Sequence, residues 1–172
     1  MAHSLQRVLI VGPCGAGKST FGFALAEAAG LPLFHMDRLN WKPGWIESTD
    51  EELRARLREV VAGERWIIEG TYGGTLDERL PGADTVVYLD YPIPLCFWRV
   101  LKRILTWRGR ARPDMPEGCP ERLDLSFLLY VARWNHGPRR RLEGRIGPYR
   151  DKMVRLCSSR EAQCWLDSLA RR

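Results

Sequence analysis

Between an apolar run ending at Val11 and a helical pattern beginning at Lys18 stands Gly12-Pro13-Cys14-Gly15-Ala16-Gly17-Lys18-Ser19-Thr20. Few sequence features constrain a fold more. The spacing G-x-x-x-x-G-K-S fits a loop whose glycines turn several backbone N–H groups toward one phosphate, with the start of a helix adding its partial positive charge. Lys18 then reaches the β- and γ-phosphates of a nucleotide, and the Ser19 hydroxyl is placed to complete the coordination of Mg²⁺. The loop demands a preceding strand and a following helix, and both are present in the pattern.

The remaining sequence repeats that alternation. Residues 5–11 read as a buried strand, 18–29 as a helix that Gly30 can end in a left-handed conformation, and 33–37 as a second strand. Ser48 and Thr49 each precede a glutamate by three residues, Glu51 and Glu52, so either forms a capping box ahead of the apolar face Leu53, Leu57, Val60 and Val61. That helix stops at Gly63. Residues 65–69 form a third strand, a short helix runs from after Thr75 to Pro81-Gly82, residues 83–90 form a fourth strand and 153–157 a fifth. A closing helix, capped by Ser158 or Ser159, buries Ala162, Trp165, Leu166 and Leu169. Short β-branched runs alternating with helices predict an α/β fold built on a five-stranded parallel sheet flanked by helices.

One stretch, residues 92–150, breaks the rhythm. It opens with a helix through Leu95, Trp98, Leu101 and Leu105, passes through the Gly/Pro-rich WRGRARPDMPEGCPERLD, and resumes as a helix over residues 125–134. A loop of this length inside a compact domain is uncommon unless functional, so residues 108–120 are expected to form a lid. With 172 residues, the whole chain is expected to be one domain carrying that insert.

Composition narrows the partners less than the loop does. With 45% hydrophobic and 28% charged residues and no long apolar run, the chain is expected to be soluble and without a membrane span, and its first residues, Met1 to Arg7, lack the pattern of a signal peptide, which points to the cytoplasm. Five scattered cysteines fit reduced thiols rather than a disulfide framework or a zinc site. The net charge of +6 is carried largely by arginine, which suits a nucleotide, a nucleic acid or a solvated surface; its placement has to decide. Arg99 and Arg103 share a helical face, and Arg108, Arg110 and Arg112 follow in the lid, where closure would bring cations to a transferred phosphoryl group. The run Arg139, Arg140 and Arg141 has no such context and reads as a solvated face.

Asp37, at the end of the second strand, faces the ligand crevice of a parallel sheet, where it either orients or deprotonates an acceptor hydroxyl, holds a metal-bound water, or merely caps a turn before Arg38. His35 beside it reads as a core or edge residue and Asp90 as a strand-end cap. Trp41 and Trp45 flank Pro43-Gly44 and either stack on a base or sugar or form a small local core. Tyr72 and Arg79 bracket Gly73-Gly74, a loop able to close on an acceptor. No guanine-reading N-K-x-D segment is present, which favours a small kinase over a GTPase.

The tighter pattern G-x-x-G-x-G-K-S resembles the phosphate loop of the adenylate kinase and shikimate kinase group. HMDRLNWKPGW, IIEGTYGGTLDERL, YLDYP and RGRARPDMPEGCPERLD are also similar, in order, to segments of bacterial proteins called DNA topology modulation proteins or adenylate kinase-related P-loop kinases. The resemblance runs from Val8 to about Trp134. It implies a P-loop NTPase fold of the nucleoside monophosphate kinase type, with ATP and Mg²⁺ as cofactors. It also implies a Walker-B-like role for Glu69, next to Gly70, in Mg²⁺ or acceptor binding, with glutamate in place of aspartate lengthening the reach. The expected activity is Mg-ATP-dependent phosphotransfer to a nucleoside monophosphate or a small hydroxyl metabolite. Lys18, Asp37 and Arg103 would be catalytic, and Asp37, Arg38, Trp41, Glu69, Gly70, Tyr72 and Arg79 would shape the acceptor site. The alternative is a nucleotide-dependent regulatory or DNA-binding protein with at most slow ATPase activity.

Overall fold

The computed structural model describes residues 5–170; residues 1–4, part of the segment read for a leader sequence, lie outside them. Five parallel strands, β1 (Arg7–Val11), β2 (Leu33–His35), β5 (Trp66–Glu69), β6 (Thr85–Leu89) and β7 (Met153–Leu156), form one sheet in the order β2-β5-β1-β6-β7. A two-stranded antiparallel hairpin, β3 (Trp41–Lys42) and β4 (Ile46–Glu47), stands apart from it. The helices are α1 (Lys18–Ala29), α2 (Met36–Asn40), α3 (Asp50–Val61), α4 (Leu76–Arg79), α5 (Ile93–Trp107), α6 (Leu125–Ala132), α7 (Pro138–Ile146) and α8 (Ser159–Ala170).

The sheet is covered on both faces, and the period of two along its strands assigns each side chain to one of them. Leu9, Val11, Trp66, Ile68, Val86 and Tyr88 face one core with Leu53 and Leu57 of α3 and Leu142 and Ile146 of α7. Their neighbours Val8, Ile10, Ile67, Val87 and Leu89 face the other, against Phe21 and Leu25 of α1 and Ala162 and Leu166 of α8. Burial on both faces is why these strands read as unbroken apolar runs. A third cluster, Val100, Ile104 and Val131, joins α5 to α6.

Local signals acted as their chemistry requires. Gly30 ends α1 at φ 63°. Of the two possible capping boxes, the one formed is Thr49 with Glu52: Glu52 N donates to Thr49 Oγ1 at 3.2 Å and Thr49 N to Glu52 Oε2 at 3.0 Å. Ser158 caps α8 by accepting from Glu161 N at 3.2 Å.

Two elements differ from expectation. The second strand ends at His35, and Asp37 lies in the first turn of α2, where a carboxylate meets the positive end of a helix. Residues 138–146 form a helix, α7, whose Arg139 pairs with Asp90 at 2.9 Å and Glu143 at 3.1 Å, so this arginine belongs to an ion-pair network and not to a merely solvated face. Asp90 is accordingly a structural group, also paired with Arg155 and Tyr88.

The order places β1 between β5 and β6 and reverses direction of winding there. The crevice of an open parallel sheet opens at such a reversal, outside the carboxyl ends of the strands. The loop after β1, the start of α2 and the end of β5 therefore converge on one place.

Candidate active site

The loop after β1 is shaped by contacts that exclude side chains. A Cβ on Gly12, at φ 146°, would lie 2.4 Å from Leu89 O, and one on Gly15, at φ 84°, would lie 2.2 Å from Cys96 O. Gly17 stands at the N-cap of α1 without a side-chain cap, and no acidic residue occupies the first turn. The first N–H groups of a twelve-residue helix thus remain for an anion, in a cradle too close to the backbone for any residue but glycine. Thr71 Oγ1 accepts from Gly12 N at 3.0 Å and donates to Gly12 O at 2.6 Å, tying the cradle to the end of β5. Lys18 Nζ donates to Pro13 O at 2.9 Å, over the same loop.

A cavity of about 910 Å³ opens from this cradle. At the cavity wall Tyr72 Oη donates to Asp37 Oδ1 at 2.7 Å, and Arg112 Nη2 lies 3.9 Å from Asp37 Oδ2. Crowding by the cavity wall desolvates Asp37 and raises its pKa, although its side chain keeps 35% exposure; the Tyr72 hydrogen bond opposes this and the nearby charge of Glu69 adds to it. Tyr72 is itself desolvated and its pKa raised, so its hydroxyl stays a donor.

Tyr72 adopts φ 30°, in the left-handed region that a bulky residue enters only when held there. Arg79 holds it. The guanidinium is fully buried and donates to Gly70 O at 2.7 Å, Thr71 O at 2.8 Å and Tyr72 O at 2.9 Å. Burial lowers its pKa to about 9. The sequence places Arg79 at the acceptor, and the structure does not: with three loop carbonyls to satisfy, it is turned inward, does not line the cavity, and positions Tyr72. Arg38 is exposed on the outer side of α2 and does not line the cavity. Trp41 and Trp45 meet edge to face at 5.4 Å, both at the cavity wall, so they pack on each other and remain available to a ligand.

Glu69, at the end of β5, is 4% exposed, and its Oε1 lies 2.7 Å from His35 Nδ1 and 3.1 Å from Ser19 Oγ. The same hydroxyl is 2.9 Å from Oδ2 of Asp114, in the segment expected to form a lid. Ser19, Glu69 and Asp114 offer hard oxygen donors beside the phosphate cradle, a set that suits magnesium completed by nucleotide phosphates. Among the described residues no group of three or more His, Cys, Asp and Glu forms a self-contained metal site.

The lid arginines divide. Arg112 Nη1 donates to Asp114 Oδ2 at 2.9 Å, and its Nε lies 2.8 Å from Glu121 Oε2, an ion pair without hydrogen-bond alignment. Arg103 Nη2 reaches Glu121 Oε1 at 3.2 Å, while Arg99 bridges Ala16 O at 3.4 Å and Ser159 Oγ at 2.8 Å across the loop. These three line the cavity. Arg108 and Arg110 do not: both are exposed, and Arg110 donates to Thr106 O at 2.8 Å and stacks on Trp107. Their position beside the end of α5 turns them to solvent. Asp114 and Glu121 are not among the residues expected at the site, although the alternation of charge through Arg112, Asp114 and Glu121 carries a signal for them. All five cysteines are free thiols.

No protein-family model matches the chain. Curated relatives do. The shikimate kinase of Acinetobacter baumannii (strain AYE) is 31% identical over 134 residues, covering 69% of this chain and 71% of that protein. That of Acinetobacter baylyi is 30% identical over 169 residues, covering 83% and 91%. Among solved structures, a gluconokinase from Sinorhizobium meliloti 1021 superposes with a TM-score of 0.55 at 22% identity over 98% of this chain and 95% of its own. The shikimate kinase of Acinetobacter baumannii in complex with shikimate gives 0.53 at 21% identity, over 98% and 92%. Among the described residues no helix is long and apolar enough to cross a membrane. With cradle, cation donors and cavity assembled at one sheet edge, the chain belongs to the shikimate kinase-type family of P-loop kinases and is a Mg-ATP-dependent small-molecule kinase.

Proposed function

We propose that the chain transfers the γ-phosphoryl group of ATP to a hydroxyl of a small metabolite, with Asp37 taking the hydroxyl proton. The observation that carries this reading is the carboxylate itself, aimed by Tyr72 at 2.7 Å and facing the cavity that the phosphate cradle opens into. The acceptor oxygen forms a bond to the γ-phosphorus as the bond to the β–γ bridging oxygen breaks, ADP leaves, and the proton passes to Asp37. Lys18, Arg103 and Arg112 neutralise charge on the transferred group, and Ser19, with Glu69 behind it, would hold magnesium, which would supply further charge neutralisation. Residues 1–172 act as one P-loop domain in this reading, with 92–150 as the lid-bearing insert.

A hydroxyl acceptor suits this wall better than a nucleoside monophosphate. An acceptor phosphate needs arginines of its own, yet Arg38 lies outside, Arg79 is turned inward, and Arg112 is in this reading already given to the transferred group. Shikimate and gluconate, the acceptors in the relatives' names, therefore lead the panel to be tried. The resemblance to DNA topology modulation proteins adds a label without a DNA reader: Arg103 and Arg112 point into the cavity rather than along a surface. We place the reaction in the cytoplasm, where ATP and Mg²⁺ are supplied.

The test is an acceptor screen with ATP and Mg²⁺, products identified by ³¹P NMR, using wild type, Lys18→Ala and Asp37→Asn. Both variants are expected to fold and to lose transfer to the acceptor found. Transfer at the wild-type rate by Asp37→Asn would sink the proposed proton acceptor.

A further inference from the structure

We infer that Asp114 is a lid-borne carboxylate of the magnesium site, so that cation binding and lid closure strengthen each other. The inference rests on the reading that Ser19 holds the cation, and it adds a residue that the phosphate-loop motif does not contain.

The geometry begins at one hydroxyl. Ser19 Oγ has two carboxylate oxygens against it, Asp114 Oδ2 at 2.9 Å and Glu69 Oε1 at 3.1 Å, and both residues are buried, at 5% and 4% exposure. One hydroxyl carries one hydrogen and can satisfy only one of them. Octahedral magnesium holds oxygens at about 2.0–2.1 Å, so neighbouring ligands stand about 3.0 Å apart. The 2.9 Å between Ser19 Oγ and Asp114 Oδ2 matches that edge.

The two carboxylates are not equivalent. Glu69 Oε1 is already engaged by His35 Nδ1 at 2.7 Å and is fixed to the end of a central strand, which suits a group acting from behind Ser19. Asp114 comes from the lid and is aimed by Arg112, whose Nη1 donates to the same Oδ2 at 2.9 Å. The lid in turn is docked on the β3–β4 hairpin: Gly44 N donates to Gly118 O at 2.8 Å, Trp45 Nε1 to Pro120 O at 3.0 Å, and Cys119 Sγ to Lys42 O at 3.2 Å. Asp114 therefore stands beside Ser19 only while lid and hairpin are together. Coupling of this kind is reciprocal, since a ligand that favours the closed lid is bound more tightly by it.

A rival role for the same contact is a plug, in which Asp114 occupies Ser19 and must be displaced by the cation. The two roles predict opposite signs. Mn²⁺ is titrated into the protein–ADP complex and followed by loss of the free-ion EPR signal, for wild type, Asp114→Asn and Asp114→Ala. ADP affinity is measured in parallel with EDTA, and melting confirms that each variant folds. Loss of a lid carboxylate is expected to weaken Mn²⁺ by about 10- to 100-fold, the range for groups that complete or orient a metal site. ADP affinity in EDTA stays unchanged, and the Mn²⁺-dependent change in tryptophan fluorescence, reported by Trp45 and Trp107 at the lid, disappears. Equal or tighter Mn²⁺ binding by either variant overturns the inference in favour of a plug. Equal weakening of ADP with and without metal overturns it in favour of a structural role. If wild type itself binds no Mn²⁺ with ADP, the cation reading of Ser19 fails first, and the inference with it.

Discussion

Arg79 offers the clearest separation between a residue that touches substrate and one that builds the wall behind it. Its guanidinium is fully buried, without an ion pair among the described residues, and its nitrogens satisfy three consecutive loop carbonyls at 2.7, 2.8 and 2.9 Å. Each bond from a charged donor contributes about 1.5–3 kcal/mol, while the desolvation that lowers the Arg79 pKa to about 9 offsets part of the total. Truncation to alanine removes the donors, leaves the carbonyls unsatisfied and opens a void. The expected cost is about 3–5 kcal/mol, a large share of the roughly 5–15 kcal/mol that holds a domain together. The same truncation releases Tyr72 from its left-handed conformation, so Asp37 loses its aligned donor and kcat falls with stability. Urea denaturation of Arg79→Ala and Arg79→Lys, with steady-state transfer rates, reads both effects. Lysine, a single point donor, is expected to recover part of the stability and serves if the alanine variant does not fold. A substrate contact would behave otherwise, raising KM with stability unchanged within about 0.5 kcal/mol. A loss below about 1 kcal/mol in Arg79→Ala would refute the positioning role.

Two further predictions concern the acceptor carboxylate and the phosphate cradle. Because the folded pKa of Asp37 lies above its usual 3.8, the ionised carboxylate works against folding: its favourable contribution is present below the unfolded pKa and is lost as pH rises through the folded one. Asp37→Asn should therefore melt higher than wild type at pH 7, with the gap closing in acid, while the acid limb of the wild-type kcat profile lies above the ordinary carboxylate range; a less stable Asn variant at pH 7 contradicts the desolvated carboxylate. Gly15→Ala forces a Cβ to 2.2 Å from Cys96 O at φ 84° and should cost about 1–3 kcal/mol by thermal melting together with most ADP affinity by calorimetry, whereas Gly74→Ala, with nothing within 4 Å, leaves ADP affinity intact; equal ADP binding by both would disprove the cradle.

Most of the fold was legible because its signals are local. The strand–loop–helix unit at Val11 to Lys18, the αL glycine after Ala29 and the double-sided burial of β1, β5 and β6 each follow from neighbouring residues. The misread elements depend on distant partners. Whether Asp37 ends a strand or begins a helix turns on where β5 stops supporting β2, and α7 is stabilised by burying Leu142 and Ile146 against the sheet, despite a sequence dominated by arginine.

The donor half of the site was determined by the sequence alone, since a phosphate cradle is made by consecutive residues whose conformations glycine permits and whose helix start is set by position. The acceptor half was decided only by tertiary structure. Arg79 looks like a ligand-binding arginine until its carbonyl partners are known, and Asp114 looks like a turn residue until the lid brings it, across 95 residues of chain, to Ser19. Charge identity is written in the chain, but what a charge does depends on which opposite group, or which backbone oxygen, the fold places beside it.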